Sequence, residues 1–373
     1  MSGDTAVSGE RPAAVAGPTS GTPTGVPPAI ARPRRRGGGI HGREGLAGWL
    51  FATPALIGLA VFMVAPILLA LWVSFRDWSG LAPLSTSTPV GLHNYHDLLV
   101  RDGVARTDFA KSLRNNLYYV IGVVPTQTAI AFLLAVLVNQ KMLKGRTFFR
   151  TAFYFPSVTS SIAIAFIFVF MFSPTGLVNT VLTAVLPGAV QLVWLDDADG
   201  LLHLLLRLVG VDSAPHALAA HTFMGLSWWD WLSGPSVALT TVMILAVWTT
   251  VGTFMLMFLA GLQNIPVELE EASMVDGATP RQRFFKITLP LMRPTLFLVL
   301  TLGLIATWQV FDQVYAMTSG GPQKTTFTPA YLVYREAFEN SSMGHASAIA
   351  FLLFALIVVL TGVQRLVLRG RGD

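Results

Sequence analysis

Residues 270–294 read EEASMVDGATPRQRFFKITLPLMRP, and the architecture of the chain follows from them. The stretch carries Glu270, Glu271, Asp276, Arg281, Arg283, Lys286 and Arg293 between apolar segments long enough to cross a bilayer. So many charges do not sit in hydrocarbon. Residues 267–275 suit a helix, with Pro266 at its start, where proline is well tolerated. Gly277 supplies the left-handed turn that ends it. Thr279-Pro280 opens a second helix, whose apolar Phe284, Phe285, Ile287 and Leu289 stop at Pro290. The expectation is a helix–turn–helix elbow facing one aqueous side.

The surrounding chain is apolar. Of 373 residues, 53% are hydrophobic and only 12% charged, and the mean hydropathy is +0.59. Soluble domains average roughly 25% charged residues, so this composition points to a polytopic membrane protein. There is no cysteine, which excludes disulfides, thiolate metal sites and cysteine nucleophiles. His216 and His221 stand five apart with no carboxylate at ligand spacing, so no metal is expected. Residues 37–42 spell G-x-G-x-x-G without a preceding strand, a chance match. No phosphate-binding G-x-x-x-x-G-K-[ST] occurs either: the run 37–44 has Arg43-Glu44 where Lys-Ser/Thr is needed. No histidine, carboxylate and nucleophile cluster stands out. A non-catalytic chain without cofactor is expected.

Six segments reach the roughly 20 residues that a span needs: 50–75, 117–138, 149–172, 237–262, 295–317 and 346–366. The fold class expected is therefore all-α, a membrane bundle of six transmembrane helices. Residues 1–45 are rich in Gly, Pro, Ala, Ser and Thr, with Arg34-Arg35-Arg36, and read as a disordered basic tail. Its basic run reads as a membrane-topology anchor rather than a nucleic-acid site. Residues 46–373 read as the transmembrane domain. With the tail inside, 17 of the 25 Lys and Arg fall on the inner side. The positive-inside rule then puts both termini and the 263–294 loop in the cytoplasm of a cell-membrane protein.

Among the outer segments, 173–236 stands apart. It holds the run GLLHLLLRLVGV at 200–211, too short to span, and Trp228, Trp229 and Trp231. These suggest a surface amphipathic helix followed by a tryptophan-anchored re-entry. Docking of an external partner and packing against membrane lipids both fit.

With the segments placed, a likeness emerges. Glu271-Ala272-Ser273, Gly277, Ile287, Leu289 and Pro290 fit E-A-A, three residues, G, nine residues, I-x-L-P. That pattern resembles the signature of binding-protein-dependent ABC importer permeases, with Ser273 in place of the usual third alanine. The likeness extends to Phe149-Arg150-Thr151-Ala152, Phe155-Pro156, Gly176 and Asn179, and to Trp248, Gly252 and the run 259–266. It continues through Phe311-Asp312-Gln313, 318–322 and 344–348. Together these look like the carbohydrate-type, maltose/glycerol-phosphate permease group, in the MalF-like subunit class. The tail and the enlarged outer segment 191–229 depart from the group's compact pattern.

The resemblance implies that the elbow is a coupling helix docking on a separate ATPase, with Phe284 or Phe285 facing it. Glu271 would pair with a basic group there or cap the elbow's turn. It also implies a homologous second permease subunit, two ABC ATPase subunits and an extracytoplasmic solute-binding protein. The implied function is ATP-driven import of a sugar or related polar solute.

Candidates for the solute path are polar residues within the spans. Trp248, Thr249, Thr250 and Thr253 lie on the fourth; Thr307, Trp308, Gln309, Asp312 and Gln313 follow on the fifth. Gln127 and 157–161 add an amide and hydroxyls. The set is mostly neutral, with indole faces, which suits a sugar. Hydroxyl residues also glue helices together, a reading that stays open for each one. The rival is an ion-coupled secondary transporter, which would want mid-membrane carboxylates and inverted repeats.

Overall fold

Helices make up 72% of the described residues, and among these no sheet closes. The computed structural model describes residues 41–140, 144–186 and 191–369; most of the expected tail lies outside them. Two compact units divide between Ala60 and Val61. The first contains helix α1 (His41–Leu59), which begins within the stretch expected as tail. The π-helical turn Ala60–Val64 carries the division.

The second unit starts with α2 (Ala65–Val73). A two-residue antiparallel pair, β1 (Arg76–Asp77) with β2 (Thr88–Pro89), leads to α3 (His93–Leu99) and α4 (Val104–Asn139). At 36 residues, α4 is about 54 Å long. That exceeds the roughly 30 Å of a hydrocarbon core, so one end projects beyond it. Pro125 sits inside this helix, as expected where neighbouring helices support the freed carbonyl.

Next come α5 (Arg146–Val158) and α6 (Ser161–Met171), which meet at 97°. The expected straight span 149–172 is therefore bent. Thr159 and Ser160 take extended backbone, and the Ser157 and Thr159 hydroxyls donate back to the carbonyls of Tyr154 and Phe155 at 2.6 and 3.0 Å. A Ser/Thr run that bonds its own backbone competes with continued helix.

Helix α7 (Leu177–Val185) opens the outer segment 173–236. Asn179, buried, donates to the carbonyls of Pro174 and Leu192 and accepts from the Trp194 indole. It folds the loop back on itself. The segment continues with α8 (Leu201–Leu208) and α9 (His216–Ala219). A hairpin pairing β3 (Thr222–Phe223) with β4 (Leu226–Ser227) then leads to α10 (Trp228–Trp231). Ser227 and Asp230 form a capping box on α10.

Helix α11 (Val237–Gln263), capped by Ser236, packs along α4 and α5. Gly252 makes the α5 contact possible: a Cβ there would lie 2.1 Å from the Phe153 carbonyl oxygen. The elbow follows as α12 (Val267–Val275), α13 (Pro280–Arg283), a π turn Phe284–Thr288 and α14 (Leu289–Leu291). Then come α15 (Arg293–Trp308), α16 (Asp312–Met317), α17 (Pro329–Tyr334), a π turn Arg335–Glu339 and α18 (Met343–Arg369).

Two further boundaries differ from expectation. The helix after Thr279 does not stop at Pro290 but continues to Leu291, and a 62° bend separates it from α15. The expected span 295–317 breaks after Trp308. Its Val310 carbonyl accepts from the Thr328 hydroxyl at 2.9 Å, which ties the break to the start of α17. By length and composition, four helices among the described residues can cross a membrane: Gly48–Val73, Val104–Asn139, Val237–Gln263 and Met343–Leu366. The two bent pairs raise this to six.

The largest apolar cluster joins α4, α6, α11, α16 and α17 through residues such as Tyr119, Phe168, Leu245, Val314 and Tyr331. At the same end, buried Asp108 of α4 binds Lys324 through both carboxylate oxygens at 2.7 Å and meets Arg335 at 3.6 Å. Both cations lie over the Phe327 ring. Asn115 donates to the carbonyls of Lys324 and Phe327. Tyr331 donates to the Ser319 carbonyl, and burial raises its hydroxyl pKa. The loop between α16 and α17 is thereby clamped to α4.

Candidate functional site

The elbow is built from local signals that agree. Helix α12 ends in a Schellman turn: Gly277 N–H donates to Met274 C=O and Ala278 N–H to Ser273 C=O. Gly277 takes φ +75°, and a Cβ there would meet nothing within 4 Å. Thr279 and Gln282 cap α13 reciprocally, with Pro280 in its first turn. Glu271 takes no part in the turn, so the expectation that it caps the elbow fails. It is exposed, without an ion-pair partner among the described residues.

Helix α12 is covered on only one side. Ser273 is buried and donates to the Glu270 carbonyl at 2.7 Å. Ala272 is exposed, as are the larger Val267, Leu269, Met274 and Val275; Val275 is 89% accessible. Such a surface is unusual for a short helix that packs only on its own chain.

The two phenylalanines divide their roles. Phe285 is 54% exposed, with Arg281 above its ring. Phe284 turns inward and meets Phe132 of α4 at 5.8 Å between ring centroids. Phe132 in turn meets Phe258 of α11 edge-on at 5.2 Å. Ile287, Leu289 and Pro290 are half-buried. Leu289 and the buried Met292 line an apolar cavity of about 240 Å³ with Phe132, Phe258 and Leu296. The elbow thus grips the helices that run away from it.

Farther along those helices lies a polar cleft of about 200 Å³. Helix α4 contributes Tyr119, Val123 and Gln127; α11 contributes Ala246, Thr250 and Phe254. Residues 306, 307 and 309–313 complete it, among them Thr307, Gln309, Phe311, Asp312 and Gln313. Gln127, 1% accessible, accepts from the Thr250 hydroxyl at 2.6 Å. Asp312 and Gln309 are exposed, and Gln313 is half-buried. A row of aromatic rings runs on from Phe311 through Tyr315, Tyr334 and Phe338, with neighbouring centroids 5.3–5.4 Å apart. Amides, a hydroxyl, one carboxylate and ring faces can hydrogen-bond and stack on a polar organic solute.

Of the expected path residues, Gln127, Thr250, Thr307, Gln309, Asp312 and Gln313 line the cleft; Trp248, Thr249, Thr253, Trp308 and 157–161 do not. Trp308 is 3% accessible and packs on Leu353 and Ile357 of α18. One step along a helix turns a side chain by about 100°, so Thr307 and Trp308 face different neighbours. Trp248 lies against Phe168 at 5.5 Å. The Thr249 hydroxyl is used by the carbonyls of Leu245 and Ala246. Tyr119 and Phe254 were not anticipated. The spacing of four in 119–123–127 and 246–250–254 is a signal that could have found them.

The family model described as "Binding-protein-dependent transport system inner membrane component" matches residues 127–372, which include the elbow and most of the cleft. The chain belongs to this family. Relatives of the permease cover nearly its whole membrane part. A probable ABC transporter permease, YurN of Bacillus subtilis (strain 168), is 31% identical over 85% of this chain and 94% of its own length. The multiple sugar-binding transport system permease MsmF of Streptococcus mutans is 31% identical, with 85% and 93% covered. The lactose transport system permease LacF of Rhizobium radiobacter is 28% identical, with 85% and 92% covered. A chain from the crystal structure of a bacterial ABC transporter that imports the acidic polysaccharide alginate shares the fold. Its TM-score is 0.66 at 18% identity, with 89% of this permease and 98% of that chain covered.

Proposed function

We propose that this permease forms the path for a sugar in an ATP-driven importer and that its elbow, in the cytoplasm, receives the stroke of a separate ATPase. Helix α12 would fill a groove of that ATPase with Val267, Met274 and Val275, while Glu271 pairs with a basic group. The observation that carries this reading is the chain of rings Phe284–Phe132–Phe258. It joins the second half of the elbow, one turn beyond the uncovered face of α12, to α4 and α11, two of the helices that line the cleft. Packed helices shift between discrete arrangements, so displacement of the elbow would reset the cleft walls. Hydrolysis itself belongs to the partner.

The sugar follows from the cleft's amides and aromatic faces, and from the multiple-sugar and lactose systems of the relatives. A second, homologous permease would close the open side of the cleft. An external solute-binding protein would deliver the sugar, in line with the alginate transporter crystallised with its oligosaccharide-bound periplasmic protein. Both chain termini would lie in the cytoplasm.

The test is uptake of a labelled oligosaccharide into vesicles containing the full complex, with ion gradients collapsed and ATP supplied. Uptake should persist, and cease when ATP is withheld. Uptake that dies with the gradient and ignores ATP points instead to an ion-coupled secondary transporter.

A further inference from the structure

Helix α8 leaves one face bare. Leu202, Leu205, Leu208 and Val209 recur at helical spacing and are all exposed, Leu208 by 84%. The polar residues of the same helix are already engaged. His203 stacks on Trp229 at 4.2 Å and hydrogen-bonds its carbonyl, and Arg207 pairs with Asp199 at 2.8 Å. What remains is a wholly apolar strip.

The depth of that strip is fixed by its neighbours. Leu201 and Leu202 N–H groups donate to the carbonyls of Pro235 and Ser233, and Val237 N–H donates to the Asp199 carbonyl. Helix α8 therefore begins against the first residue of α11. That helix has 27 residues, about 40 Å, close to the thickness of a bilayer with its headgroups. The charged elbow marks its other end. Its first residue thus lies at headgroup depth, and α8 with it.

We propose that the apolar strip of α8 is seated in the headgroup–acyl boundary of the leaflet opposite the elbow. The occupant is lipid. Residues 191–236 carry Asp196, Asp197, Asp199, Asp212 and Asp230 against the single Arg207, so attraction to anionic headgroups contributes nothing and the contact is apolar. The segment then acts as a float that holds the outer end of α11 at a set depth. The proposal rests on the family reading only for which leaflet this is.

The chain has no cysteine, so with cysteine-free partner subunits single labels are clean. The assembled importer, in lipid nanodiscs, receives an environment-sensitive fluorophore at Leu208→Cys or, as control, at exposed Asp212→Cys. Phosphatidylcholine carrying a nitroxide high on its acyl chain is the quencher. The label at 208 should be quenched about threefold more than that at 212, equally in low and in roughly 1 M salt. With the label moved to Val209→Cys, Leu205→Gln with Leu208→Gln should reduce the quenching. A 208 label that lipid does not quench, or that becomes shielded only when solute-binding protein is added, overturns the proposal. No transport is read, so failure here and failure of the importer reading are distinguishable.

Discussion

Phe284 of the elbow and Phe132 of α4 meet at 5.8 Å between ring centroids, whereas adjacent Phe285 remains 54% exposed. One ring grips the bundle; in the proposed coupling the other is a surface for the partner. Replacing each by alanine should separate the two. Phe284→Ala should leave the ATPase co-purifying with the permease while ATP-driven uptake falls about tenfold or more. Phe285→Ala should weaken co-purification first. The assay pair is pull-down and vesicle uptake on the same preparations. Truncation of a buried aromatic commonly costs about 3–5 kcal/mol; half-buried Phe284 should cost less, so the variant remains assembled.

Gly277 has open space around its missing Cβ and φ +75°. Alanine there meets no clash, only the left-handed backbone penalty of about 1–2 kcal/mol. Asparagine tolerates that conformation better. Coupled uptake should therefore rank glycine, then asparagine, then alanine, with membrane insertion unchanged in all three. A variant with alanine as active as the parent would remove the turn from the mechanism.

Gln127 and Thr250 bind one another inside the cleft wall at 2.6 Å. Gln127→Leu strands that hydroxyl on its own helix and removes an amide from the path. Thermal unfolding of the purified complex should report about 0.5–1.5 kcal/mol lost, with KM for uptake raised. Asp312 is exposed at the cleft edge. Asp312→Asn should retain most uptake of a neutral sugar, since its hydrogen-bonding capacity survives. An ion-coupled carrier would lose it.

Asp108 holds Lys324 and Arg335 over Phe327. Asp108→Asn leaves two cations partly buried without their carboxylate. Removing one partner of a fully buried pair costs about 3–5 kcal/mol. Here both cations reach solvent, so about 1–3 kcal/mol is expected. Lys324→Met should cost less, because Arg335 remains beside Asp108. Melting temperatures of the two single variants and the double variant give the coupling.

The elbow was legible because its signals are local. Pro266, Gly277 and Thr279-Pro280 each act within a turn of where they stand. What escaped notice depends on distant partners. The break after Trp308 is held by Thr328, eighteen residues away, while Val310 and Phe311 keep an apolar pattern that reads as unbroken helix. The hydroxyls of Ser157 and Thr159 read as lining for a path; they bond their own backbone beside a 97° bend instead. Composition located the polar residues of the fifth span, but only helical phase separates Thr307 from Trp308.

Entry of force at the elbow is tested most directly at Val275, 89% accessible beside the Schellman turn. Cysteine at Val275 in this cysteine-free chain can be disulfide-linked to single cysteines around the ATPase groove. A cross-link should form from the cytoplasmic side, stop ATP-driven uptake and release it on reduction. Labelling of that cysteine by an impermeant reagent from outside, or full uptake while the subunits stay cross-linked, would contradict the account.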